Sequence, residues 1–152
     1  MTPKIEVKTS TIHCTGVFAV EPIPKEQKII EYVGEKVTKK EAELRAANPK
    51  KESRGKVYLF ELNKRYDIDG DVSYNLAKYI NHSCNPNCEV VIEDNHIWII
   101  SLKDIKEEEE LTFNYGYDFD EDFRQHPCLC SSTKCKGYIL AEKHWDKIPS
   151  AN

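Results

Sequence analysis

Three closely spaced cysteines carry the clearest chemistry in this sequence. Cys128, Cys130 and Cys135 form a Cys-x-Cys-x4-Cys pattern near the C-terminal end of the 152-residue chain. Thiolates this close repel one another unless a cation neutralises them, and Zn²⁺ takes four sulfur ligands tetrahedrally at about 2.3 Å. The spacing therefore predicts a zinc site with three local ligands and a fourth from elsewhere in the chain.

Two cysteines in residues 81–88 (NHSCNPNC) are candidates for the fourth ligand. Cys84 is favoured, and Cys88 is the competing candidate. Four sulfurs close the coordination shell, so the zinc is expected to be structural rather than catalytic. The alternative interpretation is disulfides or free buried thiols, which the lack of a secretion signal disfavours. Cys14 lies in an apolar neighbourhood and is expected to be a small buried hydrophobe.

Most of the elements that must position these residues look like short strands. The predicted strands are rich in β-branched or aromatic residues and cover residues 17–20, 29–33, 57–62, 66–69, 89–92, 97–102 and 111–113. Between residues 92 and 97, Asp94 and Asn95 tolerate the positive φ that a tight hairpin turn demands. No segment is long enough for one wide sheet, so we expect a mainly β fold of several small sheets.

One helix has clear start and stop signals. Thr38 is a good N-cap, and Glu41 three residues later completes a capping box. The helix should end at Ala46 or Ala47, because Pro49 prevents its continuation. A shorter helical turn is expected around residues 75–79. The length of the chain and the absence of repeats or flexible linkers favour one domain.

Composition and charge narrow the class of partner. Hydrophobic residues make up 39% and charged residues 32% of the chain, with a net charge of -4. Nucleic-acid domains usually show a basic excess, so no direct nucleic-acid binding is expected and a basic partner is favoured. Acidic residues gather at 107–110 and 118–122. They are expected to be solvated loops; beside a cleft they would instead attract a lysine-rich peptide.

The sequence shows no signal for a membrane protein. Its longest apolar stretch, residues 97–102, is far short of the roughly 20 residues that a bilayer span needs. Residues 1–10 lack an apolar signal region. We therefore expect a soluble intracellular protein of the cytoplasm or nucleus, with no membrane partner; a secreted effector remains an open alternative.

Taken in chain order, several segments resemble the SET-domain family of protein lysine methyltransferases with its zinc-binding post-SET tail. The resemblance covers roughly residues 5–140. The matching segments are residues 13–19 (HCTGVFA), 31–35 (EYVGE), 58–60 (YLF), 81–87 (NHSCNPN), 110–117 (ELTFNYGY) and the cysteines at 128, 130 and 135. The resemblance implies a SET domain at residues 5–117, mainly β with a pseudoknot of the β-clip type, and a zinc-bound post-SET segment at residues 124–140.

The resemblance also implies a reaction, the transfer of a methyl group from S-adenosylmethionine to a lysine ε-amine. A lysine with a pKa near 10.4 is almost entirely charged at pH 7, so an apolar channel that disfavours the ammonium form would assist. By resemblance, Tyr32 and Phe113 line that channel and Tyr115 is the catalytic tyrosine. Phe113 is further implied to leave room for di- or trimethylation.

The contacts to the cofactor carried over from the family are His13, Thr15, Gly16, Tyr58, Lys78, Asn81 and His82. Lys78 stands where the family commonly has Arg. Cys14 stands where the first Gly of a Gly-x-Gly loop is expected, and its Cβ is expected to weaken cofactor binding modestly. The zinc-bound tail, anchored by Cys84, would close over the cofactor, and Tyr138 or Trp145 would add an aromatic wall.

Three functions are compatible with these residues. The favoured one is a lysine methyltransferase whose substrate is a lysine-containing protein or peptide, with histones among the candidates. The second is a zinc-stabilised binding module that retains the fold without turnover, an interpretation that rests on Cys14 alone. The third is a small metal-binding structural protein, which leaves the motifs before residue 80 unexplained.

Overall fold

The computed structural model describes residues 3–12, 14–48, 58–117, 124, 126–130, 132–133 and 135–148. Most elements in these ranges are short strands. The strands are β1 (Ile5–Thr9), β2 (Thr15–Ala19), β3 (Lys28–Tyr32), β4 (Glu35–Thr38), β5 (Leu59–Glu61), β6 (Tyr66–Asp69), β7 (Asn81–His82), β8 (Cys88–Glu93), β9 (His96–Ser101) and β10 (Thr112–Phe113). The helices are α1 (Lys39–Ala47) and 3₁₀ turns at Leu76–Tyr79 and Glu142–Lys147. None of the described helices is long and apolar enough to cross a bilayer.

The described strands form several small sheets, as the sequence predicts. β1 pairs with β2, β9 lies between β3 and β8, and β6 lies between β4 and β5, all antiparallel. The fourth sheet is a parallel pair of two-residue strands, β7 and β10. The expected fold class, mainly β and divided among small sheets, is confirmed.

The parallel pair of β7 and β10 brings the two signature stretches of the sequence side by side. Asn81 lies opposite Thr112, and His82 lies opposite Phe113. Asn87 extends the contact: its Nδ2 donates to the carbonyl oxygen of Glu110 at 2.8 Å, and its Oδ1 accepts from the backbone N–H of Thr112 at 2.9 Å. Buried side-chain hydrogen bonds therefore hold this short pair in place.

Helix α1 begins and ends as predicted. The Oγ1 of Thr38 accepts a hydrogen bond from the backbone N–H of Glu41 at 3.2 Å, which is the N-cap half of a capping box. The carboxylate of Glu41 pairs with Arg45 four residues on, at 2.9 Å. The helix ends at Ala47 with Asn48 as its C-cap. Pro49 lies outside the described residues.

The predicted strands agree with the structure better in their positions than in their boundaries. The hairpin of β8 and β9 has its turn at Asp94 (φ 50) and Asn95 (φ 63), as expected. The prediction for residues 57–62 is wrong in extent, because only β5 (Leu59–Glu61) is a strand and residue 57 is not described. Strands β1, β4 and β7 were not predicted, because charged or very short segments form strands here only through their cross-strand partners.

The hydrophobic core joins the three-stranded sheet of β3, β9 and β8 to strand β2 and the β7–β10 pair. Its most deeply buried members include Val17, Ala19, Ile29, Ile97, Ile99, Ile105 and Leu111. Tyr32 and Phe113, two of the predicted site residues, belong to the same cluster. The core thus helps to fix the positions of these two residues by packing.

Candidate active site

Five aromatic side chains from three strands and the segment after β10 line a cavity of about 50 Å³: Tyr32, Phe60, Phe113, Tyr115 and Tyr117. The ring centroids lie 5.2 Å apart for Tyr32 and Phe60, 6.3 Å for Phe60 and Phe113, and 5.0 Å for Phe113 and Tyr115. These separations are typical of packed aromatic pairs. The cavity is therefore a mainly apolar slot with aromatic walls.

Two tyrosine hydroxyls of this cavity donate to backbone carbonyl groups. The hydroxyl of Tyr115 donates to Ile80 O at 2.6 Å, and that of Tyr32 donates to Tyr58 O at 2.5 Å. Burial, with the charge of nearby tyrosines as a second cause, raises the pKa of both phenols above the ordinary value. Both groups stay protonated near neutral pH, and a phenol that donates its proton keeps lone pairs with which to accept.

Phe60 and Tyr117 are site residues that sequence reasoning missed. A signal for Tyr117 was present, since Phe113, Tyr115 and Tyr117 are spaced by two and an extended segment places such residues on one face. Tyr117 packs on Tyr115 at 5.8 Å between centroids and on His126 at 5.0 Å. It therefore connects the cavity to the C-terminal segment.

One side of the site is held by a carboxylate. The carboxylate of Glu110 accepts from the Ser10 hydroxyl at 2.8 and 2.9 Å and from the Asn81 amide at 2.8 Å. The same amide donates to Thr15 O at 3.0 Å. A Cβ at Gly16 would collide with the Glu110 carboxylate. Asn81 and Glu110 thus tie the expected cofactor loop to β7.

The acidic run at residues 107–110 is only partly the solvated loop that we expected. Glu108 is exposed and forms an ion pair with Lys8 at 3.0 Å, whereas Glu110 belongs to the half-buried network with Ser10 and Asn81. The second acidic run, residues 118–122, lies outside the described residues.

Cys14 departs from its sequence-based expectation. It is exposed, so the prediction of a buried thiol is wrong. Its φ is 35°, a left-handed conformation that glycine adopts without strain and other residues adopt at a cost. The loop therefore keeps the backbone conformation of a glycine-containing loop although it carries a cysteine. His13, its neighbour, lies outside the described residues.

Lys78 brings a positive charge to the edge of the aromatic cavity, which it helps to line. Its side chain is 10% exposed, and its Nζ lies 3.6 Å from Asp71 Oδ1. The same atom lies 5.5 Å from the ring centroid of Tyr58 and 5.1 Å from that of Tyr79. Burial raises the pKa of Tyr58. This corner can offer an anionic group a cation held by aromatic faces.

His82 is buried and uses both ring nitrogens within the protein. The backbone N–H of Tyr115 donates to Nδ1 at 3.0 Å, and Nε2 lies 3.7 Å from the sulfur of Cys84. Burial lowers the pKa of His82 to about 4, so the ring is neutral at physiological pH. Any contact of His82 with a cofactor would therefore come from its backbone.

The four cysteines that the sequence favoured lie together, with their sulfurs all within 4.8 Å of one another: Cys84, Cys128, Cys130 and Cys135. The sulfurs of Cys84 and Cys128 are 3.6 Å apart. Tetrahedral zinc with bonds of about 2.3 Å separates its sulfurs by about 3.8 Å, so the cluster has the size for this ion. Cys88 lies elsewhere, in the core, where burial raises its pKa to about 12.

The thiols of this cluster also have the chemistry of a metal site. Burial raises the pKa of Cys84 and Cys128 and so disfavours their thiolates. At Cys130 burial acts in the same direction, but hydrogen bonds from the backbone at Cys84 and Ser132 outweigh it and lower the pKa to about 6. A bound cation would stabilise all four sulfurs as thiolates.

Beside the cysteine cluster lies a second, open cavity of about 580 Å³, which is lined by Arg124, Cys135, Lys136, Gly137, Tyr138, Trp145 and Ile148. The indole N–H of Trp145 donates to Leu140 O at 3.2 Å, and Lys136 Nζ lies 5.2 Å from the Trp145 ring. Tyr138 and Trp145 thus face an open cavity, but their part in closing a cofactor pocket stays a prediction.

Comparison with known families identifies the fold that this geometry belongs to. The family model for the SET domain matches residues 15–116. This chain belongs to the SET domain family. The match includes four of the five aromatic residues of the cavity, strands β7 and β10, and Cys84, whereas Tyr117 lies one residue beyond its end. The other three cysteines lie beyond its end, where the post-SET boundaries 124–140 stay a prediction, as do the boundaries 5–117.

Several curated proteins resemble this SET domain in sequence. Proteins named histone-lysine N-methyltransferase, H3 lysine-4 specific, are 39% identical over 140 residues in Chaetomium globosum, 42% over 136 in Aspergillus oryzae and 37% over 135 in Saccharomyces cerevisiae. The alignments cover 86 to 89% of this chain. They cover only 11 to 13% of these relatives, which are much longer proteins.

Proposed function

We propose that this SET domain is an S-adenosylmethionine-dependent protein lysine N-methyltransferase that acts on histones. The observation that carries the proposal is the aromatic cavity that Tyr115 lines, with the Tyr115 hydroxyl held by Ile80 O. The names of the relatives support the same reaction and make lysine 4 of histone H3 the first substrate to test. A binding module without turnover has no need to retain Tyr115, Asn81 and His82 together.

The residues around the cavity fit the methyl donor. Bound S-adenosylmethionine supplies an electrophilic methyl group on a sulfonium. Lys78 offers its amino-acid carboxylate a cation, and the rings of Tyr58 and Tyr115 offer aromatic faces to a positive charge. Thr15 and Gly16, at the start of β2, and Asn81 and His82 in β7 complete the cofactor-binding set that we propose.

The aromatic walls supply a neutral lysine amine. Tyr32, Phe60 and Phe113 present apolar surface to the entering side chain. A charged ammonium loses its hydration in such a slot, so the equilibrium shifts towards the neutral amine, which has released its proton to bulk water. The slot also fixes the direction of approach, and alignment of two reactants is itself a large contribution to rate.

Tyr115 orients the reacting groups and does not act as a base. Its proton is held by Ile80 O at 2.6 Å, and its pKa lies above the ordinary value. The lone pairs of its oxygen can accept weak hydrogen bonds from a polarised methyl group and from the lysine N–H. Such contacts strengthen as the methyl group moves, so they favour the transition state.

The cysteine cluster serves as a structural zinc site in this proposal. Cys84, Cys128, Cys130 and Cys135 would hold the ion with no open coordination position, so zinc takes no part in the chemistry. Its ligands would fix the C-terminal segment, in which Tyr138 and Trp145 line the second, open cavity and Tyr117 packs on His126. Loss of zinc is then expected to open one side of the site.

The first experiment measures S-adenosylmethionine binding and methyl transfer to mixed core histones by zinc-loaded protein. Tyr115→Phe should lower transfer by at least about 100-fold, the usual loss when one transition-state hydrogen bond is removed. Tyr74→Phe removes a hydroxyl from a residue that is 68% exposed and is the matched control. Equal activity of Tyr115→Phe and the wild type would refute the role of Tyr115.

The other outcomes separate the remaining functions. Transfer to an H3 peptide, but not to the same peptide with arginine at position 4, would establish lysine 4 as the substrate. If the protein binds the cofactor but transfers methyl groups to no histone, the methyltransferase function would still hold, and its substrate would be a non-histone protein. No cofactor binding at all would favour the binding module.

The degree of methylation is a further part of the proposal. Phe113 is 4% exposed and lines the cavity, so a hydroxyl added there would occupy space that a methylated amine needs. We expect the wild type to form di- and trimethyl lysine and Phe113→Tyr to stop at monomethyl lysine, as measured by mass spectrometry. Monomethyl product from both proteins would contradict this.

A further inference from the structure

His82 lies between the cysteine cluster and the proposed catalytic tyrosine. Its Nδ1 is 3.0 Å from the backbone nitrogen of Tyr115, and its Nε2 is 3.7 Å from Cys84 Sγ. The ring also packs edge-on against the Tyr115 ring, with 5.4 Å between centroids. One side chain therefore contacts a sulfur of the cluster and both the backbone and the ring of Tyr115.

The direction of these hydrogen bonds fixes the tautomer of His82. A backbone N–H can only donate, so Nδ1 must accept from Tyr115 and carries no proton. The single ring proton is then on Nε2, the nitrogen that faces the sulfur. Since a thiolate is a stronger acceptor than a thiol, metal binding to Cys84 would strengthen the contact to Nε2–H.

We propose that His82 is a positioning residue that couples occupancy of the cysteine cluster to the placement of Tyr115. Nε2–H donates to the sulfur of Cys84, and Nδ1 holds the backbone N–H of Tyr115. The proposal rests on the function proposed above only for the role of Tyr115. The partners that orient groups around a metal commonly affect activity although they touch neither metal nor substrate.

Surrounding contacts leave the imidazole little freedom to do anything else. His82 is 4% exposed, and its backbone is held in the parallel pair with Phe113. Neighbouring hydrogen bonds include those of the Tyr115 hydroxyl to Ile80 O at 2.6 Å and of Asn114 Nδ2 to Leu140 O at 3.1 Å. The backbone N–H of Lys136 also donates to the sulfur of Cys84, at 3.4 Å. A ring that lost its bond to Cys84 could rotate, and the segment of Tyr115 would lose a fixed support.

Two substitutions separate the two ring nitrogens. In His82→Asn the side-chain oxygen can take the place of Nδ1, while the donor to Cys84 is lost. In His82→Gln the terminal amide can reach the place of Nε2, while the acceptor for the Tyr115 N–H is lost. Both variants retain all four cysteines, so bound metal per chain checks that the cluster is intact.

Two measurements report on the two contacts separately. The spectrum of the cobalt-loaded protein reports on the contact of Nε2 with Cys84, and steady-state kinetics report on the contact of Nδ1 with Tyr115. His82→Asn should shift the sulfur-to-cobalt charge-transfer band, whereas His82→Gln should leave it at the wild-type position. His82→Gln should lower kcat by about 10- to 100-fold with little change in the KM for peptide, and its kcat should fall below that of His82→Asn. A band unaltered in both variants, or equal losses of kcat, would overturn the proposal.

A measurement on the unaltered protein covers the case in which neither variant folds. In ¹⁵N-histidine-labelled wild type, NMR should place the proton of His82 on Nε2, and the Nε2 resonance should move when zinc is added to the metal-free protein. A proton on Nδ1, or ring resonances that do not change when zinc is added, would refute the proposed coupling between the cysteine cluster and Tyr115. These spectra do not require methyl transfer, so they separate failure of this proposal from failure of the proposed function.

Discussion

The two sides of the candidate active site are held by different physical forces. On the N-terminal side, Val17, Ala19 and Leu111 are fully buried, and the Glu110 carboxylate binds Ser10 and Asn81. On the C-terminal side, the described residues from 126 onward have only Cys128 and Leu140 buried, and the helix Glu142–Lys147 has none. The first side is a packed core, whereas the described part of the second has few buried side chains and carries three of the four clustered cysteines.

Because of this difference, we expect that the C-terminal side can lose its structure while the N-terminal side stays folded. A core held by apolar burial forms as the chain folds. A segment with few buried residues forms stably only if another interaction offsets its conformational entropy, and metal binding can supply that energy. The sheets and the part of the aromatic cavity formed by Tyr32, Phe60 and Phe113 are therefore expected to persist when the C-terminal side is released.

The largest effect is expected from breaking the C-terminal side. Cys84→Ser, or removal of zinc by a chelator, should lower methyl transfer by about 100-fold, because the supports of the cavity wall and of Tyr115 are lost together. The β-sheet signal in circular dichroism should remain. Unfolding of the sheets on chelation would mean that the two sides are not separable.

Cys88→Ala is the matched substitution on the other side. Cys88 is 1% exposed and lies outside the cluster. Its loss should lower the free energy of unfolding by about 1 kcal/mol through a small cavity and leave one zinc per chain. Zinc analysis and denaturant unfolding of both variants test the comparison; loss of zinc from Cys88→Ala would contradict it.

The aromatic cavity between the two sides should affect how kcat/KM for a peptide substrate depends on pH. The neutral fraction of a lysine rises about 10-fold per pH unit below its pKa of about 10.4. Because the pKa of Tyr115 is raised above its ordinary value, the phenol keeps its proton throughout this range. We expect kcat/KM for one peptide to rise by about 10-fold per unit from pH 7 towards a plateau set by the pKa of the free lysine, about 10.4.

A falling limb of kcat/KM below about pH 10, with zinc content constant, would contradict this expectation. It would mean that ionisation of a tyrosine stops the reaction, so that the cavity is wetter than its aromatic lining indicates.

The sequence predicted features that depend on a few residues and their spacing. The three local cysteines follow from the chemistry of close thiolates, and the hairpin turn follows from Asp94 and Asn95. The sequence favoured Cys84 over Cys88 as the fourth cysteine, and the fold brings Cys84 to the cluster. Strand β7 and its pairing with β10 could not be predicted, because the pairing joins distant segments and no local propensity encodes it. Glu110 looked like part of a solvated acidic run, and only the fold brings Ser10 and Asn81 to it.

The N-terminal side can be broken without touching the cysteines. In Gly16→Ala the added Cβ meets the Glu110 carboxylate, which must move and release Asn81. We expect the KM for S-adenosylmethionine to rise by about 10-fold, the cost of roughly one charge-assisted hydrogen bond, with zinc content unchanged. Cofactor titration and metal analysis measure both; a loss of zinc without a change in KM would reverse the assignment of the two sides.

The smallest expected effect is a gain, because Cys14 holds a conformation that suits glycine. Its φ of 35° costs a non-glycine residue about 1 kcal/mol, and Cys14→Gly would remove that cost if the loop keeps its shape. Glycine is also freer in the unfolded chain, so overall stability should change little. The relief should appear as tighter binding of S-adenosylmethionine by a few-fold in calorimetry, with Cys14→Ala, which keeps a Cβ, unchanged from the wild type. Equal affinities in all three proteins would mean that the loop reaches its binding conformation without strain and that the cysteine does not limit cofactor binding.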